Sequence, residues 1–262
     1  MGKTLEVIRD GGVATIWMDR AEVHNAFNPQ LIGDLTDACR EVDADAAARV
    51  VVLAGRGKSF SAGADLHWME AMGRASLEEN QADARRLAAM FRTLAEMGKP
   101  TIARVQGAAI AGGVGLISAC DMAIAASTAV FAISEVRLGL IPAVISPYVI
   151  RAIGERHALR YFQTAERISA KRACEIGLVG EVVLPEQLDA RVEELTNTLL
   201  EGGPQAQAAA KDLIRNVAHR PLDDALIEDT ARRIATLRAT SEGREGLAAF
   251  LGKRAPVWAR RD

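Results

Sequence analysis

The sequence predicts an α/β fold, a core of alternating strands and helices with a helical tail. Two observations carry that expectation. Short β-branched runs alternate with helically spaced segments up to Pro147, and nearly every segment beyond it has helical spacing. No internal repeat or low-complexity linker interrupts the 262 residues, enough for one large domain or two small ones. With 32 basic and 34 acidic side chains, the net charge of −2 offers no general pull toward nucleic acid or an anionic membrane. An anionic ligand must then be held by a local device.

The elements follow in order. The first twenty residues alternate apolar and polar side chains around Gly11-Gly12, which reads as a β-hairpin and not as a secretory signal. Asn28-Pro29 opens a helix to about Glu41, with Leu31, Leu35 and Ala38 on one face. Val50 to Leu53 has the composition of a buried parallel strand, and a polar loop runs from Gly55 to Gly63. Helical spacing returns from Ser76 to Met97 and is broken by Gly98-Lys99-Pro100. Thr101–Val105, Asp121–Ala126 and Val130–Ile133 are strand-like, with a small, glycine-rich segment from Gly107 to Ala119 between the first two. The helical remainder divides into Tyr148–Ile153, Glu155–Thr164, Ala170–Ile176, Pro185–Leu200, Pro204–Val217, Leu222–Ala239 and Glu242–Leu251. No run approaches the ~18 apolar residues of a membrane span, so the expected location is cytoplasmic. Cys39, Cys120 and Cys174 form no CxxC pair, and His24, His67, His157 and His219 are scattered, so neither a disulfide scaffold nor a metal site is expected.

Three segments can carry chemistry. Ser59-Phe60-Ser61-Ala62-Gly63-Ala64-Asp65-Leu66 follows a strand, where ligands bind in parallel α/β layouts, although a tight turn into a helix needs the same small residues. Gly107 to Leu116 follows the next strand. An incomplete dinucleotide fingerprint (Ser118 stands where the third glycine belongs) and close helix packing both compete there with an anion or oxyanion site at a helix N-terminus. Glu135 stands in the mostly apolar Phe131–Pro142. Desolvation would raise its pKa toward that of a general acid/base, whereas an ion pair with Arg137 or surface exposure would not.

In this order and spacing FSAGADL, AxxGGxGLISACDMAIAA and FAISEVRLGLIP resemble the enoyl-CoA hydratase/isomerase (crotonase) superfamily. The likeness extends from the hairpin through Asp19–Glu22 and Asn25–Asn28 to Phe250–Arg254. It implies a spiral of ββα turns over residues 1–195 and a helical trimerisation region over 196–262, assembled as homotrimers or homohexamers. It also implies an acyl-CoA thioester substrate, with coenzyme A part of the substrate and no separate cofactor. By the same resemblance Glu135 is the acid/base, and the N–H groups of Ala62 and Gly112 form the oxyanion hole. Residues Ala62, Gly63, Ala64, Asp65, Leu66 and Gly112 are then expected to hold coenzyme A, with Lys253 or Arg254 near its phosphates, since a near-neutral chain needs local cations there.

One departure stands out. Hydratases of this family carry a first glutamate where this chain has Gly115, leaving Glu135 to move the proton alone. The run Gly139–Tyr148 and the segment Ser61–Met69 look like hydratases of the branched-chain and terpenoid acid pathways, which act on 3-methylglutaconyl-CoA or isohexenylglutaconyl-CoA. His67 and Trp68 then lie near the acyl pocket or in the core. Hydration of a methylglutaconyl-type thioester is the first expectation. The alternatives are a double-bond isomerase, a general enoyl-CoA hydratase, or a CoA-thioester-binding protein without catalysis.

Overall fold

The computed structural model describes residues 4–259; the outermost parts of the expected hairpin and tail, residues 1–3 and 260–262, lie outside the described residues. The chain starts with the expected hairpin, β1 (Leu5–Asp10) and β2 (Val13–Met18), turning at Gly11-Gly12. Helix α1 (Pro29–Ala44) runs three residues past the expected end. Asn28 caps it by accepting the Leu31 N–H at 2.8 Å, and Pro29 fills the first turn, where no amide partner is needed. Strand β3 (Val50–Gly55) leads through the loop to a short helix α2 (Leu66–Arg74), for which the sequence pattern set no bounds. Helix α3 (Leu77–Glu96) begins at a reciprocal Ser76–Glu79 capping box.

Strand β4 (Thr101–Val105) precedes the three-residue β5 (Ala108–Ile110) and helix α4 (Gly112–Ala119). Then come β6 (Met122–Ala126), β7 (Val130–Ala132) and helix α5 (Ser146–Thr164), broken at Gly154 into the two expected pieces. The remainder is not wholly helical. Two short strands, β8 (Ile168–Ser169) and β9 (Glu181–Val183), flank α6 (Ala170–Glu175) before helices α7 (Leu188–Leu200), α8 (Pro204–Val217), α9 (Asp224–Ala239) and α10 (Ser241–Leu251).

Six strands form the main sheet in the order β1-β2-β3-β4-β6-β9, parallel except for the hairpin. All six residues of β3 are buried, because the sheet is covered on both faces. Val51 and Leu53 join the main core with α1 and α3, while Val50 and Val52 face Leu188 and Val192 of α7. A second sheet, β5-β7-β8, stands beside the first.

The division expected at 195/196 falls inside α7, which runs unbroken to Leu200. Leu195 and Leu199 pack on the second core and Leu226 is 5% exposed, so these three are engaged within the chain. By contrast Ile214, Ile234, Phe250 and Leu251 are exposed, as large apolar side chains of α8–α10. No helix among the described residues is long and apolar enough to cross a membrane.

Asn25 locks the turn between hairpin and α1. It is fully buried at φ +55°, accepts the Arg20 N–H at 2.9 Å, and donates to the carbonyls of Arg56 and Ser59, both at 2.9 Å. Asn25→Ala strips all three bonds and leaves buried partners unpaired. We expect a loss of about 2–4 kcal/mol in chemical denaturation at unchanged slope; a loss under about 0.5 kcal/mol would show that this network carries no weight.

Candidate active site

Three chain segments end side by side. Residues Phe60 and Ser61 donate to the Ala108 carbonyl, Ile110 donates back to Ser61, and Ser61 pairs in parallel with Ala109 of β5. On the other side of β5, Ile110 lies opposite Ala132 of β7, and the Ala111 N–H donates to the Ala132 carbonyl at 2.8 Å. The continuations of these strands therefore leave the same edge: Ala62–Leu66 from the first, Gly112 from the second and Glu135 from the third. Ligands bind at such carboxyl-end edges in open parallel sheets.

The backbone N–H groups are sorted by their partners. Ala62 donates to the His24 carbonyl at 2.9 Å, so its N–H is not free to hold a thioester oxygen. This corrects the expectation for Ala62. Two residues on, the Ala64 N–H has no acceptor among the described residues, and neither has that of Gly112, the first residue of α4. Ala64 and Gly112 are partly accessible, whereas Gly63 and Gly113 are buried. A Cβ added at Gly63 would lie 3.1 Å from the Ile110 oxygen and 3.2 Å from Ala111 Cβ, which places the two free donors on adjoining segments. Ala111, just before Gly112, holds φ +48° and ψ −111°, a conformation that costs an alanine about 1–3 kcal/mol. Glycine at 112 has a packing reason. A Cβ there would overlap Phe27 Cε2, so the ring of Phe27, not the ligand, requires it.

Glu135 opens a 3-10 turn, Glu135–Leu138, three residues after β7. Its Oε2 is buried with no hydrogen-bond partner, and no ion pair joins it to the exposed Arg137. Burial pushes its carboxyl up from the ordinary value, against the opposing pull of its own and Ser134's backbone N–H groups.

The expected coenzyme A residues are only partly assembled. Asp65 is 8% exposed and caps α2 through the His67 N–H at 3.0 Å. Burial would raise its carboxyl, but Arg20 at 2.9 Å and the His67 and Trp68 N–H groups outweigh this and hold it below the usual range. Its side chain is thus committed to the fold. Leu66 and His67 are exposed, and Trp68 packs on the core with its indole N–H buried and unpartnered.

Lys253 and Arg254 do not reach this loop within the chain. Arg254 forms a two-bond pair with Glu245 at 2.6 and 2.8 Å. The segment that follows is tied to the start of β3: Arg49 donates to the Trp258 and Gly202 carbonyls, and Trp258 to that of Glu201. The 62–66 loop lies past the other end of that six-residue strand, about 15–20 Å away at 3.3 Å per residue. A cavity of about 900 Å³ lies among Ser118, Asp121, Arg151 and Lys211, and Glu135 does not line it. No group of three or more metal-ligating side chains occurs among the described residues.

Fixed N–H donors beside a desolvated carboxyl can stabilise an oxyanion while a proton moves. The enoyl-CoA hydratase/isomerase family profile matches residues 9–261. An enoyl-CoA hydratase structure from Shewanella pealeana superposes with a TM-score of 0.95 at 42% identity, covering 98% of this chain and 96% of that one. The crotonyl-CoA hydratase of Syntrophomonas wolfei is 34% identical over 244 residues, 92% of each chain. A hydroxycinnamoyl-CoA hydratase-lyase of Pseudomonas fluorescens is 36% identical over 212 residues, 80% of this chain and 77% of its own. The chain belongs to the enoyl-CoA hydratase/isomerase family, and its fold is that of the crotonase structures.

Glu135→Gln tests the carboxyl twice. As the acid/base, its loss should lower kcat at least about 100-fold. A carboxyl with a raised folded-state pKa gives stability below its unfolded value and forfeits it as pH rises through the folded one. The glutamine variant should therefore melt higher than wild type at neutral pH, with the gain vanishing as the pH falls below 4.5, the ordinary value. A variant that is less stable at neutral pH, or loses under tenfold in kcat, contradicts the assignment.

Proposed function

We propose that this chain adds water across the double bond of an α,β-unsaturated acyl-CoA, with Glu135 as its single catalytic carboxyl. The observation that carries the reading is the convergence of two unpaired N–H groups, Ala64 and Gly112, with a buried, unpartnered carboxylate oxygen at one sheet edge. The thioester oxygen accepts from both N–H groups. Glu135 takes a proton from water as the oxygen–C3 bond forms, and the π electrons move through C2 onto the thioester oxygen. The protonated Glu135 then delivers that proton to C2, restoring the carboxylate. A donor fixed where the negative charge develops is worth about 10²–10³ in rate. Coenzyme A arrives as part of the substrate, and this chemistry calls for no further group.

For the acyl group, the reading is 3-methylglutaconyl-CoA or a related branched dicarboxylic thioester. It is supported by the likeness of residues 61–69 and 139–148 to hydratases of such substrates. The Trp68 indole N–H, on the helix that leaves Asp65, is a donor with unused capacity for a second carboxylate. Lys58, exposed in the loop after β3, is read as a cation for a coenzyme A phosphate. The exposed apolar residues of α8–α10 are read as the faces on which copies of this chain assemble into trimers or hexamers.

The test follows loss of enone absorbance with 3-methylglutaconyl-CoA and with crotonyl-CoA. Both should be hydrated, and kcat/KM should favour the dicarboxylic substrate by about tenfold, the return on one added charge-assisted hydrogen bond. Equal or reversed values overturn the acyl assignment. A shifted double bond without incorporated water identifies an isomerase, and tight binding without turnover identifies a non-catalytic thioester-binding protein.

A further inference from the structure

Gly115 and Ile145 form one packing unit. A Cβ added at Gly115 would overlap Ile145 Cγ2 and lie 2.9 Å from both Ile145 Cβ and Phe91 Cε1. The room left by a missing side chain at 115 is therefore filled by protein, and is not open to a carboxylate brought by the substrate. Gly112 and Gly115 are three residues apart on α4 and share a face. Along that face runs an apolar wall: Phe27 against Gly112, then Phe91, whose ring lies 6.2 Å from that of Phe27 and 5.9 Å from that of Tyr148. Ile145 completes the wall at 3% exposure, just before α5, which packs against both α4 and the turn that carries Glu135.

We propose that Ile145 is a specificity-determining residue: it closes this wall to any side chain at position 115 and so holds the reaction centre to one carboxyl, Glu135. This deepens the hydratase reading and rests on it for the catalytic half, whereas the packing half stands independently of turnover. With the space at 115 filled by Ile145 and Phe91, no side chain from that position shares the grip on water. Water must be oriented by Glu135 and the bound thioester. The glycine at 115 and the isoleucine at 145 are thus a matched pair, and changing one without the other is costly.

The packing half is read by melting temperature. In an unobstructed helix interior Gly→Ala stabilises, because it reduces the freedom of the unfolded chain. Gly115→Ala should instead lower Tm by about 5 °C or more, as overpacking does. In an Ile145→Gly background the same substitution should no longer lower Tm, since the aliphatic obstacle is gone and the edge of the Phe91 ring can shift. A Tm unchanged or raised by Gly115→Ala alone overturns the proposal, as does an undiminished loss in the Ile145→Gly background.

The catalytic half is read with crotonyl-CoA. The Gly115→Glu/Ile145→Gly double variant should show a second carboxyl ionisation in its kcat/KM profile against pH. One of the two should lie about one pH unit or more above the wild-type inflection, because like charges in a confined site raise each other's pKa. A folded double variant with the wild-type profile overturns the role of Ile145 in the reaction centre. A wild-type chain that turns over no enoyl-CoA overturns the hydratase reading and this catalytic half together, while the Tm result still decides the packing half.

Discussion

The site depends on a close approach of two stretches of backbone, the loop after β3 and the segment that enters α4. A Cβ at Gly107 (φ +62°) would overlap the Lys58 carbonyl oxygen, and one at Gly113 would come within 2.5 Å of that of Ser61. Glycine is needed there because nothing larger than hydrogen fits between the chains. With side chains excluded, the segments hydrogen-bond directly, Phe60 and Ser61 to Ala108 and Ile110 to Ser61. This contact puts the Ala64 and Gly112 N–H groups on adjoining segments. Phe27 seals it from outside, donating to the Gly63 carbonyl and accepting from the Asp65 N–H while its ring lies on Gly112.

The same region is where the chain tolerates unfavourable local terms. Two backbone donors and a carboxylate oxygen lack partners, and Ala111 sits in a region that favours glycine. The buried carboxylate oxygen costs about 1–3 kcal/mol, and the strained alanine a similar amount. These costs are offset by a sheet buried on both faces and by the Asn25 and Arg20–Asp65 contacts that fix the loop ends. A site whose donors point at no protein acceptor is ready for charge that appears only when substrate reacts. Relaxing it would stabilise the fold and weaken the chemistry.

The long elements were legible because their signals are local. Ser76 with Glu79, Asn28 with Pro29, and the β-branched run from Val50 each specify an element without reference to distant residues. Strands β5, β8 and β9, two or three residues long, carry no periodicity to read and exist only through pairing partners. The site was legible at the level of the motif, and its error was one of detail. Both Ala62 and Ala64 lie in FSAGADL, and only the hydrogen bond from Ala62 to His24 tells which N–H is spent. Lys253 and Arg254 were placed by resemblance, but the contacts of Arg49 and Trp258 hold their segment at the opposite end of β3. The partnership of Gly115 with Ile145 spans thirty residues and has no sequence signature, because an isoleucine there reads as ordinary core.

In the proposed mechanism a single carboxyl, Glu135, moves the proton in both directions, and the charge around it is arranged consistently with that role. Arg20 is engaged by Asp65, Arg56 by Glu6 and the face of Trp17, and Arg137 is exposed and unpaired with Glu135. No charged neighbour is among the causes of the Glu135 shift; burial dominates it. A cation close by would hold the carboxyl ionised and make it a poor base, as Arg20 does for Asp65. Neutral N–H dipoles behave differently. They interact modestly with the ground-state thioester and strongly with the enolate oxygen, so their effect falls mainly on the transition state. With no formal positive charge among its influences, burial raises the Glu135 carboxyl against the pull of its own and Ser134's backbone N–H groups.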